Sequence, residues 1–227
     1  MNIISIDTIT NQISITAEGP NGTYTNAFSP KTRRHTESII PMMSDAVEQA
    51  GFQANETEIV ICAEGPGTFT GLRSAYATAK AINLKTNAKL IPVPTLECMA
   101  QMFNSQDNAW CDNLLTLIDA KRNRFYGQLF NKKIAKTDTL DEPIETFLKL
   151  CDLNKPCIFL GRGIMQIQER VKHEFNAPVI FIEEKSVFSL SMLNFFHQNK
   201  EQLLTKTVND YCAPVYIRKS DAEKPQK

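Results

Sequence analysis

Ile59-Val60-Ile61-Cys62-Ala63-Glu64 runs directly into Gly65-Pro66-Gly67-Thr68-Phe69-Thr70-Gly71-Leu72-Arg73, and alanine-rich residues 74–84 follow. The first six residues have the length and β-branched apolar character of a buried strand, so a strand enters a glycine-rich turn and opens a helix. Three glycines and a proline within seven residues permit backbone angles and close approaches that side chains forbid. The helix beyond presents unpaired N–H groups at its start. Such a turn is either an anion site or a tight packing corner. It matches neither a Walker A loop, which requires Gly-Lys-Ser/Thr after its spacer, nor the GxGxxG dinucleotide fingerprint, and spacing alone leaves both readings open.

Working outward, Ile3, Ile4 and Ile6 begin a strand ending at Asp7, and residues 11–16 and 22–28 are two further β runs around the turn Glu18-Gly19-Pro20-Asn21-Gly22. From Thr36 the pattern becomes helical, with Ile39, Ile40, Met42, Met43, Ala46, Val47 and Ala50 apolar and Gly51 as the C-cap. That stripe is wider than one core-facing side requires. The helix of residues 70–85 sets Leu72, Ala75, Tyr76, Ala79 and Ile82 on one side and the small residues Ser74, Ala77, Thr78 and Ala81 on the other. A strand at 89–93 and a helix at 95–103 complete a βββαβαβα order.

Asn104-Ser105-Gln106-Asp107-Asn108 is a polar break, which predicts a first domain over 1–105 and a second over 110–218, with 219–227 a disordered tail. Leu114-Leu115-Thr116-Leu117-Ile118-Asp119 repeats the form of Ile3-Ile4-Ser5-Ile6-Asp7. A hairpin strand at 124–131, a helix at 142–151, a strand at 157–160, a turn at Gly161-Arg162-Gly163, a helix to about 174, a strand at 178–182 and a helix at 186–199 follow. Two similar α/β halves are expected, each a mixed sheet flanked by helices in an RNase H-like plan.

The 227 residues are 42% apolar and 22% charged, ordinary for a soluble globular chain with a sizeable core. Twenty-five Lys plus Arg balance 25 Asp plus Glu, so the chain has no overall electrostatic footprint for gripping a polyanion unaided. The start lacks a basic n-region, and no apolar run approaches the roughly 20 residues of a membrane span. Six scattered cysteines without a CxxC pair indicate reduced thiols and a cytoplasmic location.

Residues 65–73 resemble the GPGSFTGLR signature of the TsaB (YeaZ) family, with Thr68 in place of Ser. The resemblance extends to His35-Thr36-Glu37-Ser38-Ile39-Ile40-Pro41, Asp119-Ala120-Lys121-Arg122-Asn123-Arg124-Phe125-Tyr126 and Pro214-Val215-Tyr216-Ile217-Arg218, and is thin between 142 and 200. It implies the actin-like ATPase (ASKHA) architecture and a non-catalytic subunit of the bacterial complex that places threonylcarbamoyl on N6 of the adenosine beside the tRNA anticodon. The implied partners are the catalytic paralogue TsaD, the small ATPase TsaE, a possible second copy of the chain, and tRNA only through the complex. No intrinsic cofactor is implied, although ATP or ADP would lie at the complex interface.

In this light Asp7 and Asp119, each ending an apolar strand, are candidates for nucleotide or metal contact, or else strand-end hydrogen-bond acceptors. Kinases of this architecture follow the first aspartate with Asp-x-Gly-Thr; here Asp7-Thr8-Ile9-Thr10 places a branched side chain where backbone would approach phosphate, arguing against the usual ATP site. Four residues after His35 stands Ile39, not a second histidine, so the metal site of the catalytic relative is not expected and His35 is read as a cap or surface residue. No serine nucleophile elbow is present. The candidate anion contacts are Gly65, Gly67, Thr68, Gly71, Arg73 and Asp7. The candidate partner surface is Ile39, Ile40, Met43, Val47 and Ala50 with Ser74, Ala77, Thr78 and Ala81, the alternative being that both faces are buried within the chain. An independent ATPase or small-molecule kinase, and a metalloprotease, are the competing functions.

Overall fold

The computed structural model describes residues 1–10, 12–29, 36–103, 113–205 and 213–218. The break at 104–108, His35 and the tail lie outside these residues. The chain divides into one unit of Met1–Thr95 with Ser186–Pro214 and another of Leu96–Lys185 with Val215–Lys227.

The first unit is built on β1 (Ile3–Asp7), β2 (Ile13–Gly19), β3 (Gly22–Phe28), β4 (Ile59–Gly65) and β5 (Lys89–Pro94), in the order β3-β2-β1-β4-β5. β1 pairs antiparallel with β2 and parallel with β4, and β4 pairs parallel with β5, the RNase H-like arrangement expected. β1 is buried along its whole length because it lies at the centre, whereas the Thr- and Asn-rich β3 is a mostly exposed edge.

Helix α1 (Ile39–Gln49), entered through a 3-10 turn at Thr36–Ser38, buries Ile39, Met42, Met43, Ala46 and Val47 at helical spacing and packs on β2 and β3. It ends in a Schellman motif: Gly51, at φ +84°, donates to the Glu48 carbonyl and Phe52 to the Val47 carbonyl. Helix α2 (Phe69–Thr86) buries Leu72, Ala75, Tyr76, Ala79 and Ile82 against β4, β1 and β5. Ile4, Ile6, Ile13 and Ile15 share the core with both helices.

In the second unit, α3 (Thr95–Met102) leads to β6 (Leu114–Asp119), β7 (Phe125–Asn131), β8 (Ile134–Ala135), β9 (Leu140–Glu142), α4 (Ile144–Leu148), β10 (Cys157–Arg162), α5 (Gln168–Lys172) and β11 (Val179–Glu183). The sheet order is β11-β10-β6-β7-β8, with β9 also on β7; β6 is antiparallel to β7 and parallel to β10. The aspartate-ended central strand of the first unit therefore recurs. Phe159 anchors this core, stacked on Phe181 at 4.7 Å and meeting Phe175 edge-on at 5.9 Å. The turn expected at Gly161-Arg162-Gly163 starts only at Gly163, φ +70°, because β10 continues through Arg162.

The domain boundaries differ from expectation in two respects, the first being that α3, assigned by sequence to the first domain, falls almost wholly in the second unit. Second, helix α6 (Phe188–Gln198), assigned by sequence to the second domain, belongs to the first unit, packing on β1, β2 and β4, and α7 (Lys200–Thr205) follows it. Its apolar side, with Phe188, Met192, Leu193 and Phe196, covers the sheet face opposite α1 and α2. Two polar side chains on that face find partners in it: Ser189 Oγ lies 2.8 Å from Thr16 Oγ1, and Ser14 Oγ accepts the Ser189 N–H at 3.2 Å. Helical periodicity shows that α6 has a buried side but not which sheet receives it. Phe196→Ala, at a fully buried position, is expected to cost about 3–5 kcal/mol. Hydrogen exchange should show protection falling first in β1 and β2, and not in β10 and β11.

Candidate functional site

The glycine-rich loop is held from below by the β1–β2 turn. β4 ends at Gly65, φ +125°, the Gly65-Pro66 peptide is cis, and Thr68 caps α2 by accepting the Gly71 N–H at 3.3 Å. A Cβ on Gly71 would stand 2.1 Å from the Thr8 carbonyl oxygen, and one on Gly67 would stand 2.8 Å from the Ile9 Cβ. Thr8 Oγ1 adds a 2.6 Å hydrogen bond to the Gly71 carbonyl, and Ile9 is only 5% exposed. Gly67 and Gly71 are thus glycine because another part of the chain occupies the space a side chain would take. Of the two readings of this loop, the packing corner accounts for both glycines.

Asp7 is wholly buried at the end of β1, where Oδ1 accepts the Ile9 N–H at 2.9 Å and Oδ2 the Thr10 hydroxyl at 2.7 Å. It pins the turn that fills the loop. Of the other candidate anion contacts, Thr68 and Arg73 are exposed, Gly67 half-buried, and Gly65 and Gly71 buried. The Arg73 guanidinium lies 3.9 Å from the centre of the exposed Phe69 ring one helical turn earlier.

The α1 part of the candidate partner surface needs correction. Ile39, Met43, Val47 and Ala50 are buried in the unit's own core, and of the five only Ile40, 59% exposed, points outward. The breadth of the stripe arises because α1 covers two strands and Phe52 folds back beneath its end. Residual surface of Met43 and Val47 nevertheless joins Ile40, Phe52 and Ala54 in a groove of about 630 Å³, rimmed by Glu48 and Glu56.

On α2 the outward assignment agrees with the structure: Ala77 and Ala81 are exposed and Ser74 and Thr78 half-buried. The Thr78 hydroxyl bonds the Ser74 carbonyl at 2.9 Å, so this face offers little polarity. Sequence reasoning missed Leu84, 83% exposed on the same helix. Its signal was an apolar residue seven positions after Ala77, on the side opposite the core.

In the second unit Asp119 accepts both the Lys121 N–H at 2.8 Å and its ammonium at 2.7 Å. Burial alone would raise its pKa, but these bonds and the Lys121 charge outweigh burial and hold the carboxyl below its ordinary value. The β6–β7 turn then places Lys121, Arg122 and Asn123 at φ +60°, +58° and +57°, a left-handed run costing roughly 1–2 kcal/mol per residue.

The family-like motifs at 119–126 and 214–218 meet beside this turn. Arg218 donates from Nε and Nη2 to Asp141 at 2.6 and 2.7 Å and from Nη1 to the Ala120 carbonyl at 3.0 Å, while Arg124 Nε reaches the same carboxylate at 3.0 Å. Asp141 lies in a stretch the sequence reading left without a role. Among the described residues, no group of three or more histidine, cysteine, aspartate or glutamate side chains could hold a metal ion. No helix among them is long and apolar enough to cross a membrane.

Two RNase H-like sheets in one chain, each with an aspartate ending its central strand, define a protein of the actin-like ATPase class. Residues 26–224 match the family model described as TsaD, tRNA N6-adenosine threonylcarbamoyltransferase. The chain belongs to this family, among its TsaB (YeaZ) members. It is 28% identical over 211 residues to the tRNA threonylcarbamoyladenosine biosynthesis protein TsaB of Buchnera aphidicola subsp. Baizongia pistaciae, covering 88% of this chain and 93% of that protein. The Escherichia coli protein of the same description is 33% identical over 130 residues, covering 56% of this chain and 53% of the relative, so the match spans about half its length. A Pseudomonas aeruginosa crystal structure described as an uncharacterized protein with similarity to peptidase YeaZ shares the fold at a TM-score of 0.74 and 19% identity, covering 96% of this chain and 99% of that one.

Two expectations follow. Gly71→Ala should destabilise the chain by about 1–3 kcal/mol or more in urea unfolding, because the new methyl collides with the Thr8 backbone, which is not free to move. Burial works against ionised Asp141, but the hydrogen bonds and charges of Arg218 and Arg124 outweigh it and hold its carboxyl below the ordinary 3.8. A lowered pKa gives stability that is complete above the ordinary value and is lost as pH falls through the lowered one. Asp141→Asn should therefore cost about 1–3 kcal/mol at neutral pH. That deficit should shrink as pH falls below the ordinary carboxylate value and through the lowered one, as read from denaturant midpoints across pH.

Proposed function

We propose that this chain is the non-catalytic subunit of the complex that transfers threonylcarbamoyl to N6 of the adenosine adjacent to the anticodon of tRNAs, and that it binds and stabilises the catalytic paralogue TsaD. The observation that carries the reading is the outward surface of the first unit. The small face of Ser74, Ala77, Thr78 and Ala81, extended by Leu84, and the α1 groove beside Ile40 are apolar surfaces of the kind that accept helices of another protein. The names of the relatives supply the pathway, and the filled loop beneath Gly67 and Gly71 supports a role other than phosphoryl transfer.

In this reading TsaE joins the assembly transiently, ATP or ADP lies at the complex interface near Arg73, tRNA is reached through the complex, and a homodimer uses the same surface when TsaD is absent. The setting is the cytoplasm. An independent ATPase or small-molecule kinase, or a metalloprotease, remains the competing reading, and ATP or peptide turnover by the purified chain would revive it.

The test is light scattering after size-exclusion chromatography of the chain mixed with TsaD from the same organism. A species at the summed mass is expected. Ile40→Asp and Ala77→Glu should weaken pairing at least tenfold with no change in the unfolding transition. Val47→Glu, by contrast, should lose that transition, since it forces a charge into a site 4% exposed. Full pairing by both surface variants would reject this surface, and no complex with wild-type chain would reject the subunit reading.

A further inference from the structure

Cys151 and Cys157 are both free thiols, and they lie against each other in the second unit, where their side chains share a hydrogen bond. Cys157 opens β10, is wholly buried in the apolar cluster that includes Phe159 and Val171, and donates its backbone N–H to the Pro178 carbonyl at 3.1 Å. Cys151 follows α4, packs against the same cluster and is only half-buried. One of the pair is thus sealed in hydrocarbon, and the other is partly open to solvent.

The segment between them explains the meeting. The Lys155 N–H bonds the Asp152 carbonyl at 3.0 Å and the Asn154 N–H bonds Asp152 Oδ1 at 3.1 Å, a tight turn that sends the chain back on itself. The Asn176 N–H bonds the Leu153 carbonyl at 3.0 Å and Asn176 Nδ2 bonds Asn154 Oδ1 at 2.9 Å, which ties the turn to the segment before β11. Two thiols held as neighbours by the fold react with each other ahead of any thiol in solution. Their chemistry also differs. The shared hydrogen bond favours the Cys151 thiolate and outweighs burial, holding that thiol below its ordinary value, while the same contact, with burial, pushes Cys157 up. The thiolate is the form that attacks an oxidant.

We propose that Cys151 and Cys157 form an oxidation site for hydrogen peroxide, in which Cys151 is oxidised first and Cys157 resolves it to an intramolecular disulfide. The Cys151 sulfur attacks the peroxide; an S–O bond forms, the O–O bond breaks, and the departing hydroxide takes up the Cys151 proton as water. The Cys157 sulfur then attacks the resulting sulfenic acid at sulfur; an S–S bond forms, the S–O bond breaks, and the hydroxyl leaves with the Cys157 proton as a second water. Two thiols have then passed two electrons to one peroxide. The disulfide is returned to thiols by a dithiol reductant, whereas an unresolved sulfenic acid goes on to sulfinic acid, which is not recovered that way. The site lies wholly within the second unit and does not depend on the docking reading.

Peptide mapping of the full chain tests this. Lys155 precedes Pro156, which prevents tryptic cleavage there, so residues 150–162 are released as one peptide carrying both cysteines. After the folded chain is exposed to an equimolar amount of hydrogen peroxide and its remaining thiols are alkylated in denaturant, this peptide is expected to have lost both alkylation sites and to weigh two hydrogens less. Dithiothreitol added before alkylation should restore both. In Cys157→Ala the peptide should instead carry a dimedone adduct at Cys151, and in Cys151→Ala it should stay unoxidised. A peptide that keeps both thiols while other cysteines oxidise, one that takes up dimedone in the wild-type chain, or one joined to a different cysteine overturns the proposal. The wild-type peptide alone decides this, so the test holds if a variant fails to fold. Each outcome leaves TsaD docking untouched.

Discussion

The contact of Thr8 and Ile9 with Gly67 and Gly71 is the constraint on which the first unit depends. It joins the turn after the central strand to the turn that starts α2, and so sets where that helix lies on the sheet. Buried Asp7 is part of the same device, because its two oxygens hold the backbone and hydroxyl groups that bring Ile9 over the loop. A motif that looks like a phosphate cradle is here closed by hydrophobic packing. The absence of a Cβ at two positions serves close approach between segments roughly sixty residues apart in the chain.

The second unit achieves a comparable result with charge. Its hairpin turn carries no glycine, adopts left-handed angles with Lys121, Arg122 and Asn123, and is braced by two guanidiniums on one partly buried carboxylate. Hydrogen-bonded ion pairs of this geometry are stronger than exposed ones because solvent screens them less and both oxygens are used. The same strand plan therefore supports two different corners: an apolar one beside the proposed docking helices, and a polar one held by ion pairs.

Much of the fold was legible. The order of strands and helices in the first ninety or so residues, the C-cap at Gly51 and the recurrence of an aspartate-ended strand at Asp119 all appear where period and turn chemistry put them. The branched Ile9 packs against Gly67, and Ala77 and Ala81 face outward as their spacing indicated. The α1 stripe was misread because helical period reports how many positions are apolar, not how many strands lie beneath them.

By itself the sequence determined the local elements and the two-halved plan, since strand and helix periods and glycine-bearing turns are short-range properties. Only the tertiary structure decided which surfaces remain free. Burial depends on what arrives from elsewhere in the chain: Phe52 folded under α1, α6 crossing back from residue 188 to the first sheet, and Ile9 placed on Gly67. Only it revealed the Arg218–Asp141–Arg124 brace, because the three residues become neighbours through folding across 77 and 17 positions.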